Sequence, residues 1–460
     1  MTDDPSSKLK KALLALPDAV VGERMRSLGL WPKDEPLPVD PIDEITLRSK
    51  LENDRLRLLA QAQGAEKPEA ALRKERIRRL KESQKRRSLK KLERLAAQKQ
   101  RAEAWREERR LRIVHAGEGV SAGLEGKATD EAQLTTRGLP ILRDATELAD
   151  ALGITLSRLR WLTYHRRGVT VVHYHRFGIP KKTGGIRSIS APKRDLKAAQ
   201  AWVFEHVMKP LPIPEPAHGF VTGRSILTNA LPHVGKRVVC NLDVEGFFPT
   251  VGFRRVKGVF SKLGYGEQVA TVLALLTTEP PRLPASLDGR RYWIALGDRA
   301  LPQGACTSPA ITNFVCRRLD ARLSGLARHF GFAYTRYADD LTFSGDDRAN
   351  VGKLLGCVRK VLESEGFTEH EDKTRIMGRG RRQEVTGVVV NDKPALARDE
   401  RRELRALLHN CARHGWSSQN RGAHPDFPAY LRGRVSFACM ISPSSGPTLW
   451  PALESALARG

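Results

Sequence analysis

Two adjacent carboxylates, Asp339 and Asp340, stand in Tyr337-Ala338-Asp339-Asp340, between the apolar runs Phe332-Ala333-Tyr334-Thr335-Arg336 and Leu341-Thr342-Phe343-Ser344. Such a pair on a tight turn between strands repels itself, a cost that a bland turn seldom carries. A pair of divalent cations would remove it. A further carboxylate, Asp243, ends the run Val238-Val239-Cys240-Asn241-Leu242 and is followed by Phe247 and Phe248. Acidic groups sharing two metal ions about 3.5–4 Å apart can lower the pKa of an attacking hydroxyl and stabilise a departing pyrophosphate, which is the chemistry of nucleotidyl transfer. An Asp-Asp dipeptide alone is most often a solvated loop, so its weight comes from its companions.

The elements that would position these groups follow from pattern. Gly168–Phe177 and Ile186–Ala191 are β-rich and flank Gly178–Gly185, which holds Pro180, Lys181, Lys182 and Gly184-Gly185 and reads as a hairpin. Val238–Val244 reads as a short strand, and Thr335–Tyr337 with Leu341–Ser344 as two strands around the acidic turn. Leu139–Leu162, Leu196–Val207, Gly304–Leu326 and Pro394–Gly415 have helical character, the last rich in Arg398, Arg401, Arg402, Arg405 and Arg413. Strands and helices mix without a strict βαβ rhythm, which predicts an α+β fold.

The 460 residues exceed one ordinary core, and 40% hydrophobic residues exclude wholesale disorder. Lys and Arg number 79 against 52 Asp and Glu, a net charge of +27 that favours a polyanionic partner. The charge is uneven: residues 1–71 carry −2, residues 72–112 carry +12 and the rest +17. Ala70–Arg112 lacks Gly and Pro and predicts one long basic helix, either a solvated spacer or an RNA-binding rod. Gly117, Gly119, Gly123 and Gly126 read as a flexible linker, so the compact part is expected to begin near Thr135. No apolar run approaches a membrane span and the N-terminus is unlike a signal peptide, so a cytoplasmic chain with no membrane partner is expected. Six cysteines without a C-x-x-C pair predict buried thiols.

Leu301-Pro302-Gln303-Gly304, then Thr307-Ser308-Pro309, then the Tyr337–Asp340 turn stand in the order and spacing of reverse transcriptases, which the chain resembles from about residue 160 onward. The resemblance implies a right-hand polymerase: fingers over 135–237, palm over 238–384 and thumb over 385–460. A mainly helical basic extension over 1–134, with the helix 70–112 and the Gly-rich linker, would precede it. It implies Asp243, Asp339 and Asp340 as the catalytic triad, and Asp243, Val244, Asp339 and Asp340 as the site of two Mg2+ ions, with Mn2+ as a substitute. Lys181, Lys182, Arg187, Phe248, Gln303 and Gly304 would contact the incoming deoxynucleoside triphosphate, Phe248 by excluding a 2′-hydroxyl. Lys373 is the candidate general acid for pyrophosphate.

Within that family the chain looks like a bacterial retron reverse transcriptase. Asn229-Ala230-Leu231-Pro232-His233 fits the N-A-x-x-H element and Val385-Thr386-Gly387 the V-T-G element, with His218-Gly219-Phe220 and Gly223-Arg224-Ser225 ahead of them. The long N-terminus and the Arg- and Ala-rich composition are similar to the myxobacterial type. This implies Asn229, His233, Arg401, Arg405 and Arg432 as RNA-binding candidates, with His233 alternatively a structural histidine. It also implies copying of a structured noncoding RNA template-primer through an RNA–DNA hybrid. Priming would use an RNA 2′-hydroxyl, giving branched multicopy single-stranded DNA in antiphage defence beside an effector or toxin protein. The alternatives are a group II-like or abortive-infection reverse transcriptase with another primer, or an RNA-binding defence module restraining a toxic partner.

Overall fold

The computed structural model describes residues 18–36, 41–63, 68–180 and 184–458. The chain divides into two units, Met1–Ala104 and Trp105–Gly460. In the first, α1 (Asp18–Ser27), α2 (Pro41–Gln63) and α3 (Pro68–Leu111) are helical, the last within two residues of the basic helix read from the sequence. Glu52 on α2 lies 3.4 Å from Arg79 and 3.8 Å from Arg78 on α3, so these two helices fold back on each other. Further along α3, Leu89, Leu92 and Leu95 are exposed, in keeping with their failure to hold a 3.5-residue seam.

The second unit corrects the expected linker. Ile113, Ala116, Val120 and Leu124 are buried in one core with the residues that follow, so the compact part begins near Ile113. The glycines serve close packing here, not flexibility. The Ala116 carbonyl accepts the His165 N–H at 2.8 Å, and a Cβ on Gly117 would stand 2.1 Å from the His165 carbonyl oxygen. The helical run 139–162 resolves, after α4 (Glu131–Thr136), into α5 (Ala145–Ala151) and α6 (Leu156–Thr163), broken at Gly153 with φ +67°.

Then follow β1 (Gly168–Val169), β2 (Tyr174–Pro180), β3 (Ile186–Pro192), α7 (Arg194–Val203), α8 (Ile226–Ala230) and β4 (Val238–Asp243). Next come α9 (Phe253–Leu263), α10 (Glu267–Thr277), β5 (Arg282–Leu287), β6 (Arg290–Ala295), α11 (Thr307–Val315) and α12 (Arg317–His329). The helix expected over 304–326 is thus two, parted at Cys316. The rest is β7 (Phe332–Tyr337), β8 (Asp340–Gly345), α13 (Val351–Ser364), β9 (Arg375–Gly378), β10 (Glu384–Val385), β11 (Val388–Val389), α14 (Arg398–His414), α15 (Trp416–Gln419), α16 (Phe427–Ile441) and α17 (Gly446–Leu457).

One antiparallel sheet, ordered β7-β8-β4-β9, carries the acidic residues. Side chains alternate along β4. Val238, Cys240 and Leu242 join a core with α9 to α13, whereas Val239 joins a second core with α14, α16 and α17. Asp243 shares the parity of Val239, so it lies on the face toward the second core. The cysteines are less uniform than expected: Cys240, Cys316 and Cys411 are buried, Cys357 and Cys439 are half-buried, and Cys306 is exposed.

Candidate active site

The register of the sheet sets the site. Asp243 pairs with Asp340 across β4 and β8, and Tyr337 with Asp340 across β7 and β8, leaving Ala338 and Asp339 as the connecting turn. Ala338 sits at φ +57°, a left-handed conformation that costs a non-glycine residue free energy and persists only where neighbours impose it. Those neighbours are identifiable. The Val244 N–H donates to the Asp339 carbonyl at 3.0 Å, and the His218 N–H to the Arg336 carbonyl at 2.7 Å. Gly219 presses on the turn so closely that a Cβ there would stand 2.5 Å from the Ala338 nitrogen.

Beneath the turn lies a polar network. Arg336 has no exposed surface and donates to Asp320 through Nε at 2.8 Å and Nη2 at 2.7 Å, a bidentate pair. Its Nη1 reaches Asn313 Oδ1 at 2.9 Å and the Ala338 carbonyl at 3.3 Å. Asn313 Nδ2 donates to the Gly219 carbonyl at 3.0 Å, and the Tyr334 hydroxyl donates to Asp320 at 2.9 Å. Asp320, Asn313 and Arg336 were not singled out from the sequence as site residues. Their signal was available: Asp320 falls with Cys316, Leu319, Leu323 and Ala327 on the buried face of α12, where a lone charge requires a partner.

The carboxylates crowd one another. Burial pushes the Asp340 carboxyl up to about 7, with the charges of Asp339 and Asp243 adding to it and Lys373 opposing. Asp339 is raised mainly by burial and by Asp243, against the pull of its own backbone N–H, Lys373 and Arg187. Lys373 Nζ donates to Asp243 Oδ2 at 2.7 Å. Among the described residues no three His, Cys, Asp or Glu side chains close around a metal position. An open oxygen set of this kind fits Mg2+, which keeps several waters and is completed by substrate phosphates. It does not fit a caged structural ion.

Arg187 projects from β3, and its charge acts on Asp339, so the β2–β3 hairpin reaches toward the acidic turn. Lys181 and Lys182 lie outside the described residues. Gln303 is tied to β3 by its carbonyl, which accepts the Ser190 N–H at 2.7 Å. Gly304 has φ +114°, and a Cβ there would meet Ile189 at 2.8 Å, so the hairpin itself requires this glycine. Phe248 is half-buried beside Phe247, with ring centroids 5.6 Å apart.

Two RNA-binding candidates are corrected. Asn229 and His233 have no exposed surface, so neither side chain is presented to a bound RNA. His233 joins β7 to β8 from within: Nδ1 meets the Ser344 hydroxyl at 2.7 Å and Nε2 the Thr335 hydroxyl at 2.8 Å, and burial lowers its pKa to about 3. Asn229 Nδ2 meets Thr386 Oγ1 at 3.4 Å, linking the N-A-x-x-H segment to the β10–β11 hairpin. Arg401, Arg405 and Arg432 are exposed on α14 and α16.

A polymerase palm is the class that this sheet and acidic turn define, and comparison with known proteins narrows it. Residues 179–395 match the sequence family described as Reverse transcriptase (RNA-dependent DNA polymerase). The Retron Mx65 reverse transcriptase of Myxococcus xanthus is 47% identical over 320 residues, 70% of this chain and 73% of that one. The Retron Mx162 reverse transcriptase of the same organism is 45% identical over 377 residues, 77% of this chain and 76% of that one. The Retron Ec86 reverse transcriptase of Escherichia coli is 34% identical over 281 residues, 60% of this chain and 81% of that one. The chain belongs to the retron reverse transcriptases and is an RNA-directed DNA polymerase of α+β, right-hand architecture. Among the described residues no helix is long and apolar enough to cross a membrane.

Proposed function

We propose that the chain copies part of its own structured noncoding RNA, priming from an RNA 2′-hydroxyl to give branched multicopy single-stranded DNA, in antiphage defence. The observation that carries this reading is the meeting of Asp243 and Asp340 across β4–β8, with Asp339 on the adjoining turn, in a chain 47% identical to a retron reverse transcriptase. Asp243, the main chain of Val244, Asp339 and Asp340 hold two Mg2+ ions, or Mn2+, when these are bound. The ions lower the pKa of the attacking hydroxyl and stabilise charge on the departing pyrophosphate. Arg187, with Lys181 or Lys182, holds the triphosphate, for which a guanidinium fork is suited. Gln303 and Gly304 border the new base pair, Lys373 protonates pyrophosphate, and Arg401, Arg405 and Arg432 follow the nucleic acid. Choice of the 2′-hydroxyl comes from how the folded RNA is docked, by shape more than by groove readout.

Expression with native flanking DNA, followed by isolation of small nucleic acids, tests the product. Single-stranded DNA joined to RNA by a 2′,5′ bond, sensitive to a debranching enzyme, is expected. If the purified protein extends a primed RNA but no such junction forms in cells, the primer is of another kind.

Phe248 stands five residues beyond Asp243 and half-buried, where its ring can close on the sugar. Phe248→Ala is expected to admit ribonucleotides, raising the ratio of ribo- to deoxynucleotide incorporation by roughly tenfold or more, on the scale of 1–3 kcal/mol for a lost steric or apolar contact. Measured kcat/KM for the two sugars checks this, and an unchanged ratio removes Phe248 from sugar selection.

A further inference from the structure

A second concentration of aromatic and basic side chains lies at the foot of the β2–β3 hairpin. Trp161, near the end of α6, is 43% exposed and carries the Arg158 guanidinium 4.0 Å from its ring centroid. Tyr164, three residues on, is 37% exposed and carries the Arg166 guanidinium at 4.7 Å. The chain then enters β1, whose Val169 pairs with Trp293 on β6, and Arg291 stacks on Trp293 at 5.0 Å. Three guanidinium-on-aromatic pairs therefore occur within one connected stretch of surface. Acidic groups are few: Asp195 pairs with Arg158, and Glu118 lies 3.6 Å from Arg167.

A guanidinium laid flat on a ring is held in place while its edge stays free for a phosphate oxygen, and the rings offer planar surface for unpaired bases. A duplex presents no free base faces to such rings, whereas a single strand does. The excess of positive charge selects a polyanion over a protein face.

Position supplies the second argument. The Lys193 N–H donates to the His173 carbonyl at 2.8 Å, so the hairpin's base adjoins Trp161, whose ring meets that of His173 with centroids 4.3 Å apart. Toward the hairpin's other end Arg187 acts on Asp339. At about 3.3 Å per residue, the strand separates the patch from the acidic turn by roughly 20 Å. The apolar face of α6 packs into the first core, while the Arg-rich α14 stands on the second, so the two basic surfaces belong to different parts of the unit.

We propose that the Trp161–Tyr164–Trp293 patch binds the single-stranded RNA template ahead of copying. The proposal rests on the polymerase reading above. Its test uses the full chain and labelled primer–template duplexes with RNA 5′ overhangs of about 3 or about 20 nucleotides, the shorter ending before a patch roughly 20 Å away at about 3.4 Å per stacked nucleotide. Binding is read by fluorescence anisotropy and first-nucleotide addition by gel. Trp161→Ala/Tyr164→Ala is expected to weaken binding of the long overhang about 5- to 100-fold, the scale of one lost base stack, with Trp161→Phe largely retaining it. Binding and extension of the short overhang stay at the wild-type level, which also shows that the variant is folded. Unchanged affinity for the long overhang, or equal weakening on both, would overturn the proposal, the first outcome leaving the patch to a protein partner. Failure of the wild type to extend either duplex would instead refute the polymerase reading.

Discussion

Asp339→Asn, and separately Asp340→Asn, is expected to reduce DNA synthesis to background while leaving binding of structured RNA within about twofold. Asparagine keeps the shape of the turn but removes one of the negative charges that the metal pair would balance. The basic surfaces that bind phosphate are untouched, so the salt slope of RNA binding should not move. A second readout separates metal binding from general damage. In metal-free protein the Asp340 carboxyl is pushed up to about 7 by burial and its acidic neighbours. A carboxyl raised in the folded state holds a proton that the unfolded chain has already released. Its contribution to stability is therefore full below the ordinary aspartate range and is lost as pH rises from about 4 toward 7. At pH 8 Asp340→Asn should melt above the metal-free wild type, and added Mg2+ should raise the Tm of the wild type more than that of the variant. Extension activity in either variant, or an equal Mg2+ response, would remove these carboxylates from the metal site.

The sequence made legible the parts of this site whose residue types have little other use. Asp243, the Asp339-Asp340 pair and the Gly304 element are short-range signals, and the strands carrying them alternate plainly enough to be read. The supports of the turn were hidden because they act over long sequence distances: Gly219 touches Ala338, and Asp320 reaches Arg336 from the preceding helix. A glycine whose role is close approach looks like a glycine whose role is flexibility, and this is why residues 113–134 read as a linker when Ile113, Val120 and Leu124 in fact anchor them. Asn229 and His233 misled for a similar reason. A motif marks a place that matters, but polar residues inside a fold and at an RNA surface have the same letters, and only burial tells them apart. The single helix expected over 304–326 failed at Cys316, where apolar spacing runs on across the junction of α11 and α12 and gives no warning of a break.

The Asp320–Arg336 pair yields the largest expected loss of stability. Both side chains are buried, at 1% and 0% exposure, so removing one partner leaves the other charged and out of reach of water. Asp320→Ala should lower unfolding free energy by about 3–5 kcal/mol, measured by urea denaturation. It should also abolish synthesis at temperatures where the variant remains folded, because Arg336 then loses the bidentate anchor that aims Nη1 at the Ala338 carbonyl and Asn313. Stability and positioning can be separated. Replacing both members of a buried ion pair by apolar residues of similar volume is often neutral or stabilising. Asp320→Leu combined with Arg336→Met should therefore recover much of the lost stability, yet Ala338 would still lack the donor beneath its strained turn. The double variant should bind RNA, melt near the wild type and polymerise slowly, with the loss in kcat and not in the KM for nucleotide. Recovery of both stability and kcat would mean that the pair holds only the fold, and that Gly219 and the Val244 N–H suffice to keep Asp339 in place.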